Sequence, residues 1–153
     1  MPAKSAEDRL ASFLAKYTPE IAAAARQARA KLQTLLPGAV ELVYDNYNAL
    51  VVAFGPTERA SDVILSIALY PRWVTLFFLN GVDLPDPRRL LQGDGKTVRR
   101  ITLDGPETLD EPAVRALVRH AIARADPPLD RTAPGRLVIK SVSAKQRPRR
   151  PAR

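Results

Sequence analysis

Residues 90–97, LLQGDGKT, end in the Gly-Lys-Thr that closes a nucleotide-binding P-loop. A P-loop needs a further glycine five residues before that Gly-Lys pair, so that backbone N–H groups can wrap a phosphate. Leu90 occupies the position. The context is also reversed, since a P-loop leaves a strand and enters a helix whose N-terminus faces the anion. Here Asp86-Pro87 suggests a short helical turn before the loop, and TVRRITL after it reads as a strand. The stretch is therefore a glycine-rich turn. Lys96, Arg99 and Arg100 place three cations in five residues, with Arg72 as a possible fourth. They make a candidate anion site or a solvated strand face.

Other reactive groups are sparse. His120 is the only histidine and there is no cysteine, which removes thiolate metal sites, disulfides and thiol nucleophiles. Carboxylates pair at Glu7/Asp8 and at Asp110/Glu111, both where helices should begin, and acids there complement the helix dipole. Tyr44, Tyr47, Tyr70 and Trp73 fall at strand ends or in turns, as boundary packing or as a recognition patch. No grouping supplies a nucleophile, a base and an oxyanion donor together. The expectation is a protein without catalytic residues, hence not an enzyme.

Charge is distributed unevenly. The formal net charge is +8, and the last 23 residues carry all of it. Arg131, Arg136, Lys140, Lys145, Arg147, Arg149, Arg150 and Arg153 lie there without a single acid. Residues 1–130 sum to zero, and a domain over 1–126 followed by a Pro-rich linker and basic tail over 127–153 is expected. KQRPRRPAR has too few apolar residues to pack and reads as disordered. RLVIKSVSA before it reads as one more strand, which could dock at a sheet edge and leave only Gln146 onward free. Candidate polyanion contacts in the tail are Lys140, Lys145, Arg147, Arg149 and Arg150.

The elements that must hold these groups follow from periodicity. Ser5 with Asp8 three residues on reads as a helix start, and Leu10, Phe13, Leu14 and Tyr17 form one apolar stripe. Thr18-Pro19-Glu20 restarts a helix, whose stripe of Ile21, Ala25, Ala28, Leu32 and Leu35 ends at Pro37-Gly38. From Val40 the period shortens to two, and VELVY and ALVVAF flank the turn-rich DNYN. Residues 62–69 and 73–79 should pair as an antiparallel hairpin around Pro71-Arg72, because a parallel crossover needs a dozen residues or more. Val63, Leu65, Ile67 and Leu69 are expected to face the helices. TVRRITL is a fifth strand. A last helix starts at an Asp110 cap with Pro112 in its first turn and buries Val114, Leu117, Val118, Ala121, Ile122 and Ala125. The fold class is α+β, with an antiparallel sheet of about five strands against two N-terminal helices and one C-terminal helix. No apolar run approaches the ~20 residues that span a bilayer. MPAKSAEDRL lacks a secretory signal's apolar stretch, so a cytoplasmic location and no membrane partner are expected.

AVELVYDNYNALVVAF, SIALYPRWVTLFFLNG, LPDPRRLLQGDGKTVRRITL and TLDEPAVRALVRHAIARA together resemble the YdhG-like family, a domain of unknown function. The resemblance extends roughly over residues 10–125 and is most specific at the Tyr-bearing hairpin, the LYP strand end and the GDGK…R lead into the fifth strand. It implies a frataxin-like α+β fold. Some members are iron chaperones, so it also implies iron as a possible ligand, with Glu7, Asp8 and Glu20 as the carboxylates the opening helices offer. Two functions from different classes stand side by side. One is a non-enzymatic module that binds a small ligand, a metal ion or a protein partner. The other is a polyanion or nucleic-acid adaptor acting through the basic tail.

Overall fold

The computed structural model describes residues 4–152, so Arg153 lies outside the described residues. The chain forms helices α1 (Ala6–Leu14), α2 (Pro19–Leu35) and α3 (Pro112–Ala123) and one six-stranded mixed sheet. Its strands are β1 (Val40–Asp45), β2 (Leu50–Gly55), β3 (Leu65–Leu69), β4 (Val74–Phe78), β5 (Arg99–Leu103) and β6 (Arg136–Val142). They lie in the order β5-β4-β3-β2-β1-β6. No helix among the described residues is long and apolar enough to cross a membrane.

The helices start where local chemistry says they should. Ser5 caps α1, its Oγ accepting from the Asp8 N–H at 3.1 Å. Thr18 does the same for Ile21, with Pro19 at the first helical position of α2. α3 differs from expectation. Its cap residue is Glu111, which makes no side-chain capping bond, and Asp110 instead ends a short 3-10 turn (Pro106–Asp110). The Asp110 carboxylate accepts from Lys31 and Arg115, which together hold it below the usual carboxylate range, Lys31 foremost.

All three helices bury their apolar stripes on one face of the sheet. Leu10, Phe13, Ala25, Leu32, Val114 and Leu117 meet Val52, Phe54, Leu65, Ile67, Leu76 and Phe78 in a single cluster. A fully buried Leu or Phe stabilises by about 1.5–3 kcal/mol, so this layer dominates the fold. Residues 62–69 and 73–79 pair antiparallel as expected, with Leu69 opposite Val74 and Tyr70 donating to the Trp73 carbonyl across the turn. One residue departs. Ile64 joins the helix-side cluster, while Val63 packs with Val40, Leu42 and Ala53 in a second cluster that contains no helix residue. The alternation starts at β3, after a 3-10 turn (Ala60–Asp62), and cannot be extended back through it.

The expected antiparallel sheet of about five strands is thus a mixed sheet of six. Residues 127–153, expected as linker and tail, contribute β6, which lies parallel to β1 with Glu41 opposite Leu137 and Val43 opposite Ile139. Leu137 and Ile139 pack against the helix-side core and Val138 against the other cluster, so both faces of β6 are used. The chain between β1 and β6 includes four strands and α3, far more than a parallel crossover requires. Gly38 lets residues 130–135 return beneath β1. It has φ +83°, and a Cβ there would collide with the Asp130 carbonyl oxygen.

Candidate functional site

Topology collects several segments at one end of the sheet. β1 and β6 run towards it together, and the β1–β2 and β3–β4 turns both lie there because each pair is antiparallel. Residues 46–49, 70–73 and 143–151 therefore meet, although about a hundred positions separate the first from the last.

The C-terminal segment is anchored at this end, not disordered. Asp45 is 1% exposed on the helix-facing side of β1, and Arg149 is 6% exposed. Arg149 donates from Nη2 to Asp45 Oδ1 at 2.9 Å and to the Asn46 carbonyl. Its guanidinium lies 5.8 Å from the centre of the Tyr17 ring. Lys16 donates to the other Asp45 oxygen at 3.1 Å. Gln146 accepts from Lys16 and donates to the Asp45 carbonyl, and the Ser143 and Arg147 N–H groups donate to the carbonyls of Asp45 and Tyr47. Arg150 donates to the carbonyls of Ala15 and Lys16 just past α1, where the helix dipole favours a cation. Low apolar content suggested disorder. A buried, hydrogen-bonded ion pair supplies the anchor instead, and composition does not register it.

Of the five tail cations, Arg149 is thereby committed to Asp45 and Arg150 partly to α1. Lys140, Lys145 and Arg147 are exposed and stand in no ion pair among the described residues. The Arg147 guanidinium lies 5.9 Å from the centre of the Tyr47 ring. Beside it, Asn46, Tyr47, Asn48, Ala49, Val51, Tyr70 and Ser143 line an open cavity of about 410 Å³. Tyr47 is 50% and Trp73 47% exposed, and the Tyr70 and Trp73 rings are 5.8 Å apart. Tyr44 belongs elsewhere. It packs against the second cluster, its buried hydroxyl has no hydrogen-bond partner, and burial raises its pKa. The four aromatics thus divide into three at this end and one on the sheet.

Beneath the cavity, Tyr17 ties α1 to the sheet. Its hydroxyl donates to the Leu69 carbonyl at 2.8 Å and accepts from the Leu50 N–H at 3.1 Å, and burial raises its pKa.

The other expected groupings do not assemble. Arg72 precedes β4 at the end where Val74 pairs with Leu103, whereas Arg99 pairs with Phe78 at the far end of that ladder. The intervening strand is roughly 13 Å long. Arg99 donates to the carbonyls of Gly95 and Val98, and Arg100, its strand neighbour, points to the other face. Lys96 is exposed in the loop before β5, so the GDGKT stretch enters a strand. Glu7 is held by both terminal nitrogens of Arg29, and this hydrogen bonding keeps its carboxyl below the usual range. Arg29 and Glu20 are nine residues apart on α2, about 13.5 Å along the axis, so Glu7, Asp8 and Glu20 do not converge. No group of three or more potential metal ligands occurs among the described residues. His120 is exposed on α3.

A polar site that pattern reasoning missed lies at the opposite end of β1. Glu41, 8% exposed, accepts from Arg29 Nε at 2.7 Å and from Gln33 at 3.0 Å. Burial alone would lower the Arg29 pKa, but its bonds to Glu7 and Glu41 outweigh that and raise it. A cavity of about 350 Å³ adjoins Glu41, Gln33, Glu7 and Arg136, yet their carboxylates are already paired. The available signal was Glu41 and Asp45 at i and i+4 on a strand otherwise apolar, which places both acids on one face.

These features define an α+β domain with helices on one face of a mixed sheet and an aromatic, cationic end. No protein-family model, curated protein or solved structure matches the chain.

Proposed function

We propose that this protein is a non-enzymatic polyanion-binding module that acts through its basic C-terminal segment. One observation carries the reading: the segment is fixed to the sheet through Arg149 while Lys140, Lys145 and Arg147 remain exposed and unpaired among the described residues. An anchored strip loses less entropy on binding than a free tail does. With three cations engaged, duplex DNA binding should follow salt with a slope near −2.7, a loss of about 40-fold between 50 and 200 mM. Eight engaged cations would give a slope near −7.

Fluorescence anisotropy with a labelled 20-base-pair duplex at several salt concentrations tests this. The comparison chain carries Lys140→Ala, Lys145→Ala and Arg147→Ala, because deletion from residue 131 would remove β6. Equal affinity of the two chains, or a slope near zero, refutes the reading.

The order helix, helix, five antiparallel strands, helix also supports a YdhG-like, frataxin-like architecture as a second reading, with β6 as an addition to it. Iron binding at Glu7, Asp8 and Glu20 draws no support from their separation.

A further inference from the structure

We infer that the cavity between the β1–β2 and β3–β4 turns is a base-stacking groove for single-stranded nucleic acid. The inference rests on the polyanion-binding reading and names its substrate class. The groove is lined by two tyrosine rings, two exposed carboxamides, a hydroxyl and the apolar Ala49 and Val51, with no carboxylate among them. Its volume of about 410 Å³ is within the ~300–1,000 Å³ of small-ligand sites. Trp73 is not in this lining; its ring lies 5.8 Å from that of Tyr70, in a neighbouring cavity shared with Ile21, Ala24, Arg72 and Asp104.

Charge complementarity selects the occupant. Lys145 and Arg147, both exposed, follow the lining residue Ser143 in the chain, and Arg147 lies over Tyr47. Asp45, next to the β1–β2 turn, is buried and neutralised by Arg149 and Lys16, and Asp104, which shares a neighbouring cavity with Trp73, has Arg72 in the same lining. A single strand needs a cationic track for its phosphates and exposed aromatic faces for its bases, and this end of the sheet supplies both. A duplex keeps its bases stacked on one another and offers the rings nothing. The Asn46 and Asn48 carboxamides carry both donors and acceptors, which suits tolerant hydrogen bonding to base edges.

The test titrates the full chain at 50 mM salt with four probes of equal length: a single-stranded oligothymidine, an abasic phosphodiester strand, a duplex and poly-glutamate. Anisotropy gives affinities, and Trp73, the only tryptophan, reports stacking through quenching. Oligothymidine should bind at least ten-fold more tightly than the abasic strand and quench Trp73. Tyr47→Ala and Trp73→Ala should each remove most of that advantage, and Tyr47→Phe should keep it. Both residues are half exposed, so the fold should survive, as circular dichroism would verify. Equal affinity for oligothymidine and the abasic strand overturns the groove and leaves the polyanion reading standing. Poly-glutamate binding as tightly as oligothymidine assigns the surface to acidic protein segments and also overturns it. Absence of binding to every probe removes both readings.

Discussion

Arg149→Ala removes one partner of the ion pair that anchors the C-terminus. Asp45 is 1% exposed and would keep only Lys16, whose side chain is 44% exposed. Breaking a buried pair from one side costs about 3–5 kcal/mol, because the remaining charge stays desolvated. Lys16 offsets part of that, and the carbonyls of Asn46 and Tyr47 lie in an exposed turn where water can replace the guanidinium. The expected loss is about 3 kcal/mol, a large share of the roughly 5–15 kcal/mol that stabilises a typical domain. Urea unfolding followed by far-UV circular dichroism reads it as a midpoint lowered by about 1.5 M, for an m-value near 2 kcal/mol/M. Arg147→Ala, which removes an exposed neighbour, should change stability by less than about 0.5 kcal/mol. Combined with Asp45→Ala, the double variant should lose at least about 2 kcal/mol less than the sum of the single losses, as expected for groups in direct contact. An Arg149→Ala protein within 0.5 kcal/mol of wild type, with an unchanged m-value, would refute the anchored tail.

Two further outcomes follow from one buried and one exposed polar group. Tyr17→Phe deletes a hydroxyl that serves both the Leu69 carbonyl and the Leu50 N–H, and should cost about 2 kcal/mol in the same urea assay, since buried groups left unsatisfied cost ~1–3 kcal/mol. A loss below 0.5 kcal/mol would show that water reaches this junction. Glu7 has a folded pKa depressed below its ordinary 4.5 by Arg29, so its contribution is present above that pH and lost as pH falls through the folded value. Glu7 is largely exposed, and Glu7→Gln should cost no more than about 1 kcal/mol at pH 7. That difference should shrink steadily below pH 4.5, and a difference that persists at pH 2 would contradict the assignment.

What could be read along the chain was local. Ser5 with Asp8, Thr18 with Pro19, and the two-residue Pro71-Arg72 connection each act within a few positions, so α1, α2 and the β3–β4 pairing were legible. Local alternation failed at Val63, because the 3-10 turn at 60–62 reset which face the chain presents. β6 was legible as a strand, but nothing in RLVIKSV states that its partner is β1 or that the pairing is parallel. The candidate site was still less legible. Tyr47 and Trp73 were visible as aromatics at strand ends or in turns, and the basic run was visible as charge. Their meeting at one end of the sheet required the whole strand order. Arg149 is the sharpest case: as part of an Arg-Pro run it looked solvated, and it is buried only because β6 delivers it to an acid 104 positions away. Burial of a charge depends on what surrounds it in space, and a partner that distant leaves no periodicity for a sequence pattern to follow.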